Sequence, residues 1–311
     1  MRIEKEVNSI DFVLDNVIHK IYMAADHPFG VCGIASGFHE LDVFTSGWQN
    51  SDLIILASYP YMGNTPFMLS MALNIAVENK TELAIISLKD SNEKLAQQML
   101  VSQCKIDRDM LLKGRLSENE WTKLTQFESV LSNAPVYFYD APNISMEEIS
   151  DKAHQLIKDF DIEILFIDNL QMIRSEGLNS ETIDQENVTK LKALKILARE
   201  LDIPVIVLSD LKMPENTQSK SYGKRPELLD FPELDMRQNG ADSVCFLYRP
   251  EYFHITEDED GNSTIGTGEL IVYNGYSEPK VNNLQYNLRF GEFSEIENTE
   301  EKSDNNENKQ L

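Results

Sequence analysis

The 311-residue chain is 41% hydrophobic and 26% charged, the balance of an ordinary globular protein long enough to bury one large α/β core or two small ones. A formal net charge of −24 excludes a surface that grips nucleic acid over its whole extent, because such binding draws on Lys and Arg, and it leaves room only for a local basic loop. No apolar stretch approaches the roughly 20 residues that span a membrane, "MRIEKEVNSIDF" carries no signal core, and Cys32, Cys104 and Cys245 have neither metal-ligand spacing nor disulfide density, so a cytoplasmic chain without membrane contact is expected.

The first segment, "VNSIDFVLDNVIHKIYMAAD", has a helical period that puts Ile10, Val13, Leu14, Val17, Ile18 and Ile21 on one face. His27-Pro28-Phe29-Gly30 closes it. The stripe needs a cover, either from the chain's own body or from a neighbouring subunit. From Val31 onward β-rich apolar runs appear at "LIILAS", "LAIISL", "PVYFYD", "IEILFID", "IPVIVLS" and "SVCFLY". Helical stretches such as "NEKLAQQMLVSQC", "SMEEISDKAHQLIKDF" and "VTKLKALKILARELD" lie between most of them. That alternation predicts an α/β fold with a mainly parallel sheet covered on both faces. "GELIVYNG" and "NNLQYNLRFGEF" have no helix between them and predict antiparallel strands at one edge. The expected organisation is a linker helix over residues 1–30, one domain over 31–293 and a disordered acidic tail over 294–311.

In an open α/β sheet, ligands sit beyond the carboxyl ends of the strands. "ASYPYMGNTPF" follows the first strand and precedes a helix, which is the frame of a phosphate-binding loop. It reads Gly63-Asn64-Thr65-Pro66, where such a loop needs Gly-Lys-Thr or Gly-Lys-Ser. Lys89-Asp90 follows the second strand, Asp168-Asn169 the run "ILFI", and Asp210 the run "VIVLS". This is the layout of a nucleoside triphosphatase core, with Asp168 in the Walker B place.

Several further segments resemble the carboxy-terminal, RecA-like motor domain of the bacterial replicative DNA helicase family, DnaB. "GIASGFHELDVFTSGWQNSDLIILASYPYMGNTPF" is similar to that family's entry segment and Walker A loop. "AIISLKDSNEKLAQQML", "IEILFIDNLQMI", "TKLKALKILARELDIPVIVLSDL" and "NGADSVCFLYRPEYF" resemble its later strands and helices in order. The likeness runs from about Val31 to Phe293, and residues 9–22 resemble the family's linker helix, which packs on the adjacent subunit of a ring. A chain without the family's separate amino-terminal domain is the expectation. The resemblance implies a P-loop ATPase that binds ATP and Mg²⁺ and moves on single-stranded DNA during replication.

Departures from the family pattern qualify that expectation. The Walker lysine, which sets a charge on the β- and γ-phosphates, is Asn64, and Pro66 has no N–H to offer a phosphate. Ser58 replaces a small loop-opening residue. The family's catalytic acid in Ser-Leu-Glu falls on Lys89, a charge reversal; a glutamine after the fifth strand falls on Asp210; the Lys-x-Arg pair that reaches a neighbour's nucleotide falls on Asn274 and Tyr276. Gly63, Thr65, Asp168 and Gln171 match, so Thr65 and Asp168 are the expected Mg²⁺ ligands if nucleotide binds, with Ser58, Gly63, Asn64, Thr65, Pro66, Asp168 and Asp210 around it. A transition-state arginine is worth about 10³ to 10⁵ in rate and a general base roughly 10² to 10⁴, so losing both with the lysine predicts hydrolysis near background. Lys89, expected beside the loop on the adjacent strand end, either stands in for the missing lysine or pairs with Asp168. Two loops expected to face DNA carry Arg174 in the first and Lys212, Lys220, Lys224 and Arg225 in the second; a solvated charged loop is the alternative. The acidic stretch "TEDEDGNST" has no metal-loop spacing, and the five histidines are dispersed. The expected function is a DnaB-like paralogue impaired in hydrolysis that binds or regulates an intact DnaB-type helicase through residues 9–22 or forms a ring of its own. An active helicase subunit, or a DNA-binding module without ATP, are the alternatives. The site could also take no cofactor.

Overall fold

The protein is seen here as a computed structural model that describes residues 9–26, 30–175, 182–213, 223–258, 260–275 and 277–296. It opens on α1 (Ile10–Asp26), where Ile10, Phe12, Val13, Leu14, Val17, Ile18, Ile21 and Tyr22 are all exposed. Ile10 is 68% and Ile21 61% exposed, so among the described residues nothing covers the stripe. Residues 27–29, the expected turn, lie outside the described ones.

The body alternates strands and helices: α2 (His39–Thr45), β1 (Leu53–Ser58), α3 (Asn64–Val77), β2 (Leu83–Ser87), α4 (Asn92–Cys104), α5 (Arg108–Leu112), α6 (Glu118–Ser132), β3 (Val136–Asp140), α7 (Met146–Phe160), β4 (Ile164–Asp168), α8 (Ile183–Leu201), β5 (Val205–Asp210), α9 (Met236–Asn239) and β6 (Ser243–Tyr248). Three more strands follow, β7 (Thr267–Asn274), β8 (Lys280–Asn287) and β9 (Glu292–Glu295). One nine-stranded sheet runs β3-β2-β4-β5-β1-β6-β7-β8-β9. It is parallel from β3 to β6 and antiparallel beyond.

Every residue of β1, β2, β4 and β6 is buried, because each of these strands is packed on both faces. Leu53, Ile55 and Ala57 of β1 enter the core shared with α7 and α8, while Ile54 and Leu56 enter the one shared with α2, α3 and α4. The period-2 pleat thus splits one apolar run between two cores. Side-chain caps fix the starts of α4 and α7. Ser91 accepts from the Lys94 N–H before α4, and Ser145 and Glu148 form a capping box before α7.

Two expectations need correction. "NNLQYNLRFGEF" is not one strand: β8 ends at Asn287, a turn through Leu288–Gly291 reverses the chain, and β9 pairs back, Tyr286 facing Phe293. Ser294 and Glu295, expected in the tail, therefore belong to the sheet. This edge strand needs only one buried side chain, Phe293, so its polar composition hides it. Residues 297–311 lie outside the described ones. Helix α6 has no counterpart in the expected elements; none of its residues is fully buried, and its sequence signals are the Ser117–Glu120 capping box and the helical spacing of Trp121, Leu124, Phe127 and Leu131.

Candidate nucleotide site

The loop after β1 is held from below. Gly63 has φ +103°, and a Cβ there would lie 3.0 Å from the Phe293 ring, so glycine is required. Its carbonyl accepts the Phe67 N–H at 2.9 Å, which starts α3. Fully buried Phe67 packs on Phe38 and Phe293 with ring centroids 5.0 and 5.5 Å apart. Pro66 sits in the first helical turn, where its ring is tolerated, but it removes one of the free N–H groups that a helix start presents to an anion.

The polar groups expected at the strand ends do converge. Thr65 Oγ1 donates to Asp168 Oδ2 at 2.8 Å. Asp168 is 1% exposed; burial pushes its carboxyl above the ordinary range, opposed by the Thr65 hydrogen bond and the Lys89 charge and reinforced by Asp210 and Asp90. Asn64 Nδ2 turns inward and donates to the Ser209 carbonyl at 3.3 Å, and its buried Oδ1 has no hydrogen-bond partner. Asn169 Nδ2 donates to Asp210 Oδ2 at 2.7 Å. Gln171 brackets the end of β5: its Oε1 accepts the Asp210 N–H at 3.0 Å and its Nε2 donates to Ser209 Oγ at 2.9 Å. Buried Ser58 donates to the Tyr59 carbonyl at 2.9 Å. Thr65 and Asp168 supply two hard oxygens that suit Mg²⁺ completed by water and phosphate. Among the described residues no group of three or more His, Cys, Asp or Glu forms a metal site.

Lys89 does not sit on a strand adjacent to the loop. Instead β4 and β5 lie between β2 and β1, since the chain crosses over to build β2 on the far side. Lys89 still reaches the loop through space: a cavity of about 320 Å³ is lined by Thr65, Pro66, Lys89, Asp90, Arg108 and Arg289, among others. Exposed Lys89 makes no ion pair with Asp168 within 4.0 Å, so the pairing expected of it is not formed, although Asp168 feels its charge.

Other candidates lie apart. Asn274 ends β7, opposite Ser243 at the start of β6, so it stands at the other end of the sheet from Thr65. It lines a separate cavity of about 750 Å³ with Asp52, Leu229 and Asp242. Tyr276 and Lys220 lie outside the described residues. The described cations of the two expected DNA loops are engaged by acids. Arg174 pairs with Glu148 at 3.0 Å, Lys212 with Asp184, Lys224 with Glu227 at 2.8 Å, and Arg225 takes Glu269 with two bonds of 2.6 and 2.7 Å.

Arg108, Arg249 and Arg289 join the site without a signal in the sequence. Arg289 falls within an apparent strand, and only the turn between β8 and β9 brings it to the cavity. Arg249 backs the loop: its buried guanidinium lies 3.9 Å from the Tyr286 ring centroid and donates to the Tyr61 carbonyl at 3.4 Å. "LYRPEYF" offers no spacing that would single it out.

The profile of the DnaB-like helicase C-terminal domain matches residues 33–295. The chain is 34% identical to the replicative DNA helicase DnaB of Geobacillus stearothermophilus over 87% of its own length and 61% of that protein's. It is 38% identical to the replicative DNA helicase DnaC of Bacillus subtilis (strain 168) over 80% of this chain and 56% of that one. The chain thus spans little more than half the length of these curated relatives. Among solved structures, an isolated ATPase domain superposes with a TM-score of 0.82 at 27% identity, covering 94% of this chain and all of that one. A DnaB-like replicative helicase studied with its interactions with primase gives 0.78 at 26%, over 94% of this chain and 68% of that one. The fold is RecA-like, and the chain belongs to the DnaB-like helicase C-terminal domain family.

Proposed function

We propose that this chain is a DnaB-type motor subunit impaired in ATP hydrolysis, which binds nucleotide as a ligand and associates with an intact family member through α1. The observation that carries the reading is the inward turn of Asn64. The residue in the Walker lysine place is spent on a main-chain carbonyl, while a cation, Lys89, holds the place of the water-activating acid. Magnesium would be held by Thr65 and Asp168 and would neutralise phosphate charge there. The residues' own part is to bind and orient; the carboxylate that lines the cavity, Asp90, is already paired with Lys94. The uncovered α1 stripe supports docking on another subunit, in a mixed ring or a ring of this chain alone. Four acid-paired cations in the DNA-side loops support weak contact with single-stranded DNA.

The test is phosphate release from saturating ATP with Mg²⁺, with and without single-stranded DNA. The expected result is background release, unchanged by DNA. DNA-stimulated turnover on the order of 1 s⁻¹ or faster, the lower end of ordinary enzymes, would overturn the proposal and favour the active-helicase reading. That second reading has its own support in the retained Gly63, Thr65, Asp168 and Gln171. For the partner, Ile18→Asp should abolish co-elution with an intact DnaB-type helicase; undiminished co-elution would remove α1 from the interface.

A further inference from the structure

The cavity of about 320 Å³ beside the loop is cationic in a chain that is strongly acidic overall. Three of its lining side chains are Lys89, Arg108 and Arg289, drawn from the loop after β2, the start of α5 and the turn between β8 and β9. Lys89 and Arg108 are exposed, and among the described residues neither side chain makes a hydrogen bond or an ion pair. Arg289 lies over the Phe290 ring, 5.4 Å from its centroid, and its one ion pair among the described residues is a 3.6 Å contact of Nε with Asp107. The one acid in the lining, Asp90, is already paired with Lys94. Thr65 and Pro66, from the family's phosphate loop, line the same cavity.

From this arrangement we infer that the chain holds a polyphosphate group in this cavity on Lys89, Arg108 and Arg289, without needing Mg²⁺. The inference rests on the nucleotide-site reading above and names which residues replace the missing lysine. Three features carry it. The cavity reaches the lower end of ligand-pocket volumes, enough for a di- or triphosphate group. Its cations come from three separate segments and converge on one space, and two guanidiniums suit bidentate contact with phosphate oxygens. Among the described residues, two of the three have no acid to give up, so binding an anion costs them no pair seen there. In the family pattern the phosphate charge is met by the loop lysine and Mg²⁺; here the same charge is met by Lys89, Arg108 and Arg289, while Thr65 donates to Asp168. The shared chemistry fits either the terminal phosphates of a nucleoside triphosphate or free pyrophosphate.

Calorimetry with ATP and with inorganic pyrophosphate, each in EDTA and in Mg²⁺, tests this on the full chain. The expected result is binding in EDTA that weakens about tenfold or more in Lys89→Ala and in Arg108→Ala, the scale of one charge-assisted hydrogen bond, while Lys280→Ala at the far end of β8 binds as wild type. ATP tighter than pyrophosphate assigns the site to a nucleotide; equal affinities assign it to free polyphosphate. Thermal unfolding of both variants should match wild type, since the two side chains are exposed. Binding only in Mg²⁺ and indifferent to Lys89→Ala would overturn this inference while leaving impaired hydrolysis intact. No binding of either probe at millimolar concentration would overturn it as well. Phosphate release in the turnover assay would instead overturn the proposed function and leave the binding result standing.

Discussion

Asp168→Asn should stabilise the ligand-free protein, and the gain should depend on pH. The wild-type carboxylate is 1% exposed and accepts one side-chain hydrogen bond, from Thr65. A carboxylate can accept about four, and a buried polar group left short of partners costs about 1–3 kcal/mol. The amide keeps an oxygen for Thr65 and removes the charge, but its own N–H₂ gives back part of the gain, leaving about 1–2 kcal/mol. For a domain of this size that is roughly 2–8 °C in melting temperature. The sign with pH follows from the direction of the shift. Burial holds the folded-state pKa above the unfolded value of about 3.9, so below that value Asp168 is protonated in both states and carries no penalty. As pH rises through the folded-state pKa, the buried charge appears and wild-type stability falls relative to the variant. Thermal unfolding by circular dichroism in EDTA, at pH 5 and pH 8, is the assay; the variant's advantage should be larger at pH 8. A variant less stable than wild type at pH 8, or an advantage larger at pH 5, would refute the reasoning and mean that Asp168 is well solvated by groups around it.

Two further outcomes follow from particular contacts. Gly63→Ala places a methyl group 3.0 Å from Phe293 at φ +103°, so it should destabilise by about 1–3 kcal/mol, read as a lower denaturant midpoint at unchanged slope. Glu186→Gln leaves the Lys190 ammonium, whose side chain is 3% exposed, without its ion-pair partner; a loss approaching about 3 kcal/mol is expected, and Lys190→Met in the same background should recover much of it.

The sequence by itself determined the sheet and its strand-end site. Runs such as "LIILAS" and "SVCFLY" are too apolar to lie anywhere but the middle of a two-faced sheet, and they form β1 and β6 at the expected residues. Gly63, Thr65, Asp168 and Asp210 were legible because chemistry in such a sheet collects at the carboxyl ends of its strands. The edge was less legible: β9 buries a single ring and leaves no apolar pattern to read, while the stripe of α6 at Leu124, Phe127 and Leu131 is only half-buried. Only tertiary structure decided how the site is charged. Strand order places two strands between Lys89 and the loop it faces, and a turn between β8 and β9 brings Arg289, from the far end of the chain, to the same cavity. The direction in which Asn64 points, toward Ser209 and away from that cavity, is likewise a matter of packing. Residue type and spacing set which groups reach the strand ends; the crossovers and the turn set which charges meet there.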